Sequence, residues 1–324
     1  MTYNNNNNNN SNATDDELNM EEPSTSDQTG AFVLYGLLSF FIVVANSLIL
    51  LLIWRKRRLR TTSNMILASL ATSDLLTGLL AVPMVIACSA TLQLEVCIAM
   101  DISNRFLAFS SVGHLILLSI DRYIRVTKLL RYPTIVTEER LSWALAFAWV
   151  FALLASMIQL CWILATLDEE ALIRIELGYD FFHMAALVVV PLFLMGGIYT
   201  KIFIHLRRHS NTIHSELSGR SASRVNAGRR KVNEKKIALL FIAMIAVFIF
   251  GLFFYFLWAL MDDMEVAGLH SISPKAMNMI VTSIIFFRFL TALCNPLLCT
   301  FMKQDFLNAL KSFSTGLRDR SSTM

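Results

Sequence analysis

Long apolar runs alternate with short charged ones along this chain, and the two kinds of stretch barely mix. Seven runs, near residues 31–54, 64–88, 97–122, 141–164, 179–204, 237–261 and 276–301, are each long enough to cross a bilayer, which takes ~20 residues. Hydrocarbon offers no water to backbone N–H and C=O groups, so each run is predicted to be a helix. The predicted fold is an all-α membrane protein, a seven-transmembrane helix bundle. Composition agrees: 55% of the 324 residues are hydrophobic and 16% are charged, where a soluble domain keeps about a quarter charged. A greasy soluble helical protein is the alternative, but seven consecutive spans leave too little polar surface to coat one.

Charge sorts the connecting segments into two classes. Five Lys and Arg lie in 55–60, five in 122–140, ten in 201–236 and four after 301, so 24 of the 28 fall on one side of the predicted membrane. The other side is acidic, with Asp15, Asp16, Glu17, Glu21, Glu22 and Asp27 before the first span and Asp168, Glu169 and Glu170 in the loop at 165–178. Positive loops stay in the cytoplasm, which predicts an extracellular N-terminus and a multi-pass plasma-membrane protein. The net charge of +4 therefore reports topology, and the basic residues, being split among loops, form no nucleic-acid face. Residues 1–30 are polar and low in complexity, a predicted disordered extracellular tail. They hold two glycosylation acceptor patterns, at Asn9 and Asn12. No cleavable leader is visible, so the first span is expected to serve as its own insertion signal. Residues 31–302 form the seven-span domain, and 303–324 an amphipathic helix and cytoplasmic tail.

Polar residues inside apolar spans are costly and usually functional. Asn46 lies in the middle of the first span, Asp74 in the second, and Asn295-Pro296 interrupt the seventh. Proline removes one backbone hydrogen bond and leaves a carbonyl free. Asp121-Arg122-Tyr123 ends the third span, Trp149 sits in the fourth, and Pro191 and Tyr199 lie in the fifth.

Taken in order on seven spans, this set resembles the rhodopsin-like (class A) G-protein-coupled receptors from about residue 31 to 313, and locally the adenosine and other small-ligand receptors. The stretch FMKQDFLNAL after the seventh span matches that class's short helix on the inner leaflet. The resemblance implies that Arg122 pairs with Asp121 at rest and is freed toward a heterotrimeric G protein when the sixth helix swings out. Tyr199, Glu234, Asn295 and Pro296 join them as coupling and activation residues, while Asn46, Asp74 and Asn295 form a polar core that in this class holds water and often a sodium ion. Membrane lipid, an unknown extracellular ligand and a receptor oligomer complete the implied partners. The class also implies a disulfide from Cys97, which lies 25 residues before Arg122, ~37 Å along a helix. The outer loop at 165–178 holds no cysteine, so Cys161 or Cys88 remain as partners, with a free Cys97 as the alternative.

Several positions depart from the class. The sixth span lacks Cys-Trp-x-Pro: Leu252 stands in the tryptophan's place and Phe254 in the proline's, with Gly251 as its one soft point. Cys299 replaces the tyrosine of Asn-Pro-x-x-Tyr. These losses favour basal activity or a receptor that barely signals. Asn104 stands where amine receptors carry an aspartate, and Phe289 where opsins carry the retinal lysine.

Two arginines lie at the depth of the class's ligand pocket. Arg105 is eight residues below Cys97, ~12 Å into the third helix, and Arg288 is seven residues before Asn295. Asp101, at i,i+4 spacing, neutralises one of them. The expectation is an uncompensated positive charge and an anionic ligand held by an arginine fork, with an alternative in which Asp101 bridges both arginines, or Glu176 or Asp180 folds in, and closes an ionic plug. His114 and His183 have no partner at metal-ligand spacing, and no nucleophile–base pair or Gly-rich phosphate loop suggests an enzyme. Two rival readings stay open: a seven-span transporter or channel, which internal repeats would favour, and a receptor-like protein that modulates partner receptors.

Overall fold

The structure is a computed structural model that describes residues 25–165, 167–216, 243, 246, 251, 253–255, 257, 261, 274–302, 308 and 309. Every regular element among them is helical. Six helical runs are long and apolar enough to span a membrane: Gln28–Arg55, Thr62–Thr91, Leu94–Thr127, Glu138–Ile163, Glu170–Arg208 and Met279–Pro296. They correspond to predicted spans one to five and seven. Most of the predicted sixth span, with Glu234 and Leu252, lies outside the described residues, as do Asn9 and Asn12.

The second and fifth spans each contain a wide turn. In the second, a π-helical turn at Thr77–Ala81 precedes Pro83, and in the fifth one at Met184–Val189 precedes Pro191. Each adapts the ladder where a proline cannot donate. The segment read as the outer loop at 165–178 is largely helical: a helix runs Glu169–His183 and leads directly into the fifth span. At the other end, the fourth helix starts at Glu138 behind Thr137, whose hydroxyl accepts the N–H of Arg140 at 3.3 Å, a cap reinforced by Glu138 and Glu139 in the first turn.

The third span is the axis of the bundle, packing against the second, fourth and fifth. Its Leu107, Ala108, Phe109 and Val112 are buried. The fourth span instead turns Trp143, Phe147, Phe151 and Leu154 outward, the side that hydrocarbon covers. Close approach of the first and second spans depends on Gly78. A Cβ there would stand 2.9 Å from Val43 Cγ2 and 3.2 Å from the Ser39 carbonyl, and the Gly78 carbonyl accepts the Ser39 hydroxyl at 2.7 Å.

Candidate functional site

Three polar clusters lie along the bundle. At the inner end of the third span, Asp121 is buried at 3% exposure. It accepts the Ser63 hydroxyl at 2.8 Å and the Tyr132 hydroxyl at 2.5 Å. Tyr132, from a short helix in the second inner loop, also accepts Arg125 Nη2 at 3.0 Å and lies under that guanidinium at 4.5 Å. Arg122 is half-buried on the neighbouring face, and Tyr199 is buried against the core of the bundle.

At mid-membrane, Asn295 donates its amide to Asp74, at 3.0 Å to one carboxylate oxygen and 3.3 Å to the other. Asn46 donates to the carbonyls of Ile42 at 3.0 Å and Ala292 at 3.1 Å. The Ala292 bond has a plain cause: Pro296, four residues on, has no N–H to give that carbonyl. Asn46 on the first helix thus repairs a defect in the seventh. Asn46, Asp74, Asn295 and Pro296 line one small cavity. Asn46 Oδ1 and Ser73 Oγ are buried there or nearby without hydrogen-bond partners among the described residues. One turn deeper, the Trp149 indole donates to Ser69 at 2.9 Å, and Ser69 meets His114 at 2.6 Å. That network gives the fourth-span tryptophan and His114 a structural role.

The third cluster occupies the outer half. Arg105 is held between two carboxylates: Nε to Asp101 at 2.8 Å, and Nη1 to Asp180 at 2.5 Å with Nη2 at 3.4 Å from the same acid. Tyr179 stacks its ring against the guanidinium at 5.1 Å, and His183 lies parallel to Phe109 at 5.0 Å. Asn104 turns back onto the Met100 carbonyl at 3.0 Å. On the seventh helix, Phe289 is buried edge-on to Tyr35, whose hydroxyl reaches the Thr282 carbonyl at 3.1 Å. Beside it Arg288 is 2% exposed, and its Nε and Nη2 have no hydrogen-bond partner among the described residues. Above, Cys88 and Cys97 form a disulfide, and Cys161 is a free, exposed thiol.

A family model described as 7 transmembrane receptor (rhodopsin family) matches residues 45–298. The chain belongs to this family. The receptor is 27% identical over 322 residues to trace amine-associated receptor 7c of Rattus norvegicus, covering 90% of this chain and 85% of that one. It is 28% identical over 213 residues to the histamine H2 receptor of Cavia porcellus, covering 62% and 57%. To the 5-hydroxytryptamine receptor 1B of Equus caballus it is 27% identical over 183 residues, covering 54% and 47%. Members of this family are receptors, not enzymes.

One expectation needs correction. No ion pair between Asp121 and Arg122 is present among the described residues; neighbours on a helix point ~100° apart, and Asp121 faces Ser63 and Tyr132 instead. At the outer pair of arginines, Arg105 carries the expected Asp101 and also Asp180, the acid named from sequence as an alternative. Asp180 supplies the second acid, and it reaches the third span because the helix that carries it continues into the fifth. Tyr132 was not singled out by the sequence reading, since a tyrosine beside a proline in a loop carries no motif. Of the two cysteines offered as partners for Cys97, the bonded one is Cys88.

Proposed function

We propose that this receptor sits in the plasma membrane with its N-terminus outside, takes a small extracellular ligand into its outer half, and transmits binding to a heterotrimeric G protein. The observation that carries the reading is the inner end of the third span. There Asp121 is held by the second span and the second inner loop, which leaves the adjacent Arg122 for a partner on the cytoplasmic face. The basic inner segments support the orientation, because positive loops resist translocation. In cells expressing the receptor, Arg122→Ala should abolish G-protein activation at normal surface level, and unchanged activation would defeat the coupling claim.

The ligand is read as bearing an anionic group. The named relatives are receptors for trace amines, histamine and 5-hydroxytryptamine, yet here Asn104 is bonded to its own helix, whereas Arg288 has buried donors without partners among the described residues. A buried guanidinium fork fits a carboxylate or phosphate group. Basal signalling belongs to the same reading, since the sixth span lacks the tryptophan and proline of the activation switch and two states separated by a few kcal/mol are both measurably populated.

The polar core also fits a sodium ion. Asp74 supplies charge, and Asn46 Oδ1 and Ser73 Oγ are buried acceptor oxygens without protein donors among the described residues, the hard oxygen set a small cation takes. Bound there, sodium would supply positive charge beside Asp74 and favour the state in which that carboxylate is buried. Sodium titration of the purified receptor, with Asp74→Asn as control, should raise its melting temperature only in the wild type.

A further inference from the structure

The charges of the outer site are unequally shared. Three carboxylates, Asp101, Asp180 and Glu176, lie within electrostatic reach of one another and of a single guanidinium, Arg105. Arg105 satisfies Asp180 through two nitrogens and Asp101 through one. Among the described residues only Asp101 Oδ2 is used, and the Asp101 side chain keeps 33% exposure against 3% for Asp180. This end of the site therefore has negative charge to spare, and it is open at Asp101. The other end is the reverse. Arg288 has two buried nitrogens without partners among the described residues, and its electrostatic neighbours are Tyr255 and the deeper Asp74. Tyr255, on the sixth span, is within electrostatic reach of Asp101, Arg105, Asp180 and Arg288 alike, so it is close to both ends. A cation alone would leave Arg288 unanswered, and an anion alone would meet the acids around Arg105.

We propose, building on the receptor reading above, that the ligand is a zwitterion, its ammonium on Asp101 and its carboxylate on Arg288, with the two charges spaced along an ω-amino acid or a short peptide with free ends rather than adjacent on one carbon. The ammonium completes the exposed carboxylate that Arg105 shares with Asp180. The carboxylate takes the guanidinium fork, which accepts two oxygens in one plane. Tyr255 lies alongside the chain that joins them. Each charge reads the other's position, so the site selects by charge separation as well as by charge.

The test uses the purified full-length receptor without G protein, with binding read by thermal shift and calorimetry. The probes are glycine, β-alanine, 4-aminobutyrate, 5-aminopentanoate and 6-aminohexanoate, with dialanine and trialanine, and for each the N-acetylated and the amidated form. The expected result is an affinity maximum at a charge separation longer than glycine's and a loss on the order of 30-fold on capping either end, as for a buried charge left without its partner. Arg288→Gln should abolish discrimination between a zwitterion and its amide, and Arg288→Lys should restore part of it. Asp101→Asn should abolish discrimination between a zwitterion and its N-acetyl form. A flat series, absence of binding across the panel, or monoamines that bind as tightly as their zwitterions would overturn the inference. Cell signalling separates it from the reading beneath: zwitterion binding without G-protein activation would leave the site standing and remove the coupling, whereas activation by amines without need of Arg288 would do the reverse.

Discussion

Asp180 carries the charge that completes the outer cluster, and it is 3% exposed as a side chain while bonded to an arginine that is 11% exposed. Removing one partner of such a buried pair strands the other and costs about 3–5 kcal/mol, whereas replacing both by apolar groups is often nearly neutral. Asp180→Asn should therefore lower the melting temperature of the detergent-solubilised receptor sharply, and Arg105→Leu combined with Asp180→Leu should recover much of that loss. At the opposite end of the bundle, Tyr132→Phe removes a hydroxyl that donates to Asp121. A hydrogen bond to a charged group contributes about 1.5–3 kcal/mol, so unfolding by denaturant should show a loss of that size. An unchanged midpoint would mean that the inner loop is held by other contacts.

Between helices, the repair of the seventh span by the first gives a two-residue coupling that can be measured. Asn46→Leu should cost about 1–3 kcal/mol by leaving the Ala292 carbonyl buried without a donor. In a Pro296→Ala background residue 296 regains its own N–H, so the same substitution should cost clearly less. A double-mutant cycle with no coupling energy would show that Asn46 acts elsewhere. Glycine contacts set the spacing of two helix pairs. A Cβ on Gly251 would lie 1.9 Å from Thr291 Cγ2, so Gly251→Ala forces the Thr291 side chain or the two spans to shift. Overpacking of this kind costs typically about 1–3 kcal/mol, and Thr291→Ala should relieve part of it, as read by the yield of folded receptor. The position read from sequence as a soft point in the sixth helix is thus a close approach to its neighbour.

At the scale of the whole receptor, the outer end is tied by one short disulfide between the second and third spans, with a sequence separation of 9. Closing a loop of that length contributes about 2–3 kcal/mol in the chain-entropy account. Cys88→Ser and Cys97→Ser should therefore reduce surface expression equally and without additivity, while Cys161→Ser should leave it unchanged.

The repeated apolar runs, the one-sided distribution of basic residues and the isolated polar positions were sufficient in sequence to specify an all-α seven-span membrane protein, and the resemblance carried by Asn46, Asp74, Asp121, Arg122, Asn295 and Pro296 implied a receptor. The reason is physical: hydrocarbon allows only self-bonded backbone, and each polar residue inside it stands out against an apolar background. Partners were a different matter. That Asn46 answers the carbonyl freed by Pro296, 246 residues away along the chain, that Asp180 joins Asp101 on Arg105, and that Tyr132 rather than Arg122 engages Asp121 all depend on which helix faces meet. Side-chain direction around a helix turns ~100° per residue, so a helix that starts earlier than its apolar stretch suggests, as Glu169–His183 does, fixes the direction of an acid at the edge of that stretch and brings it into the bundle. Composition and spacing set which groups had to be satisfied. The packing of the third span against its neighbours decided which of them satisfied each other, and it left two nitrogens of Arg288 without a hydrogen-bond partner among the described residues.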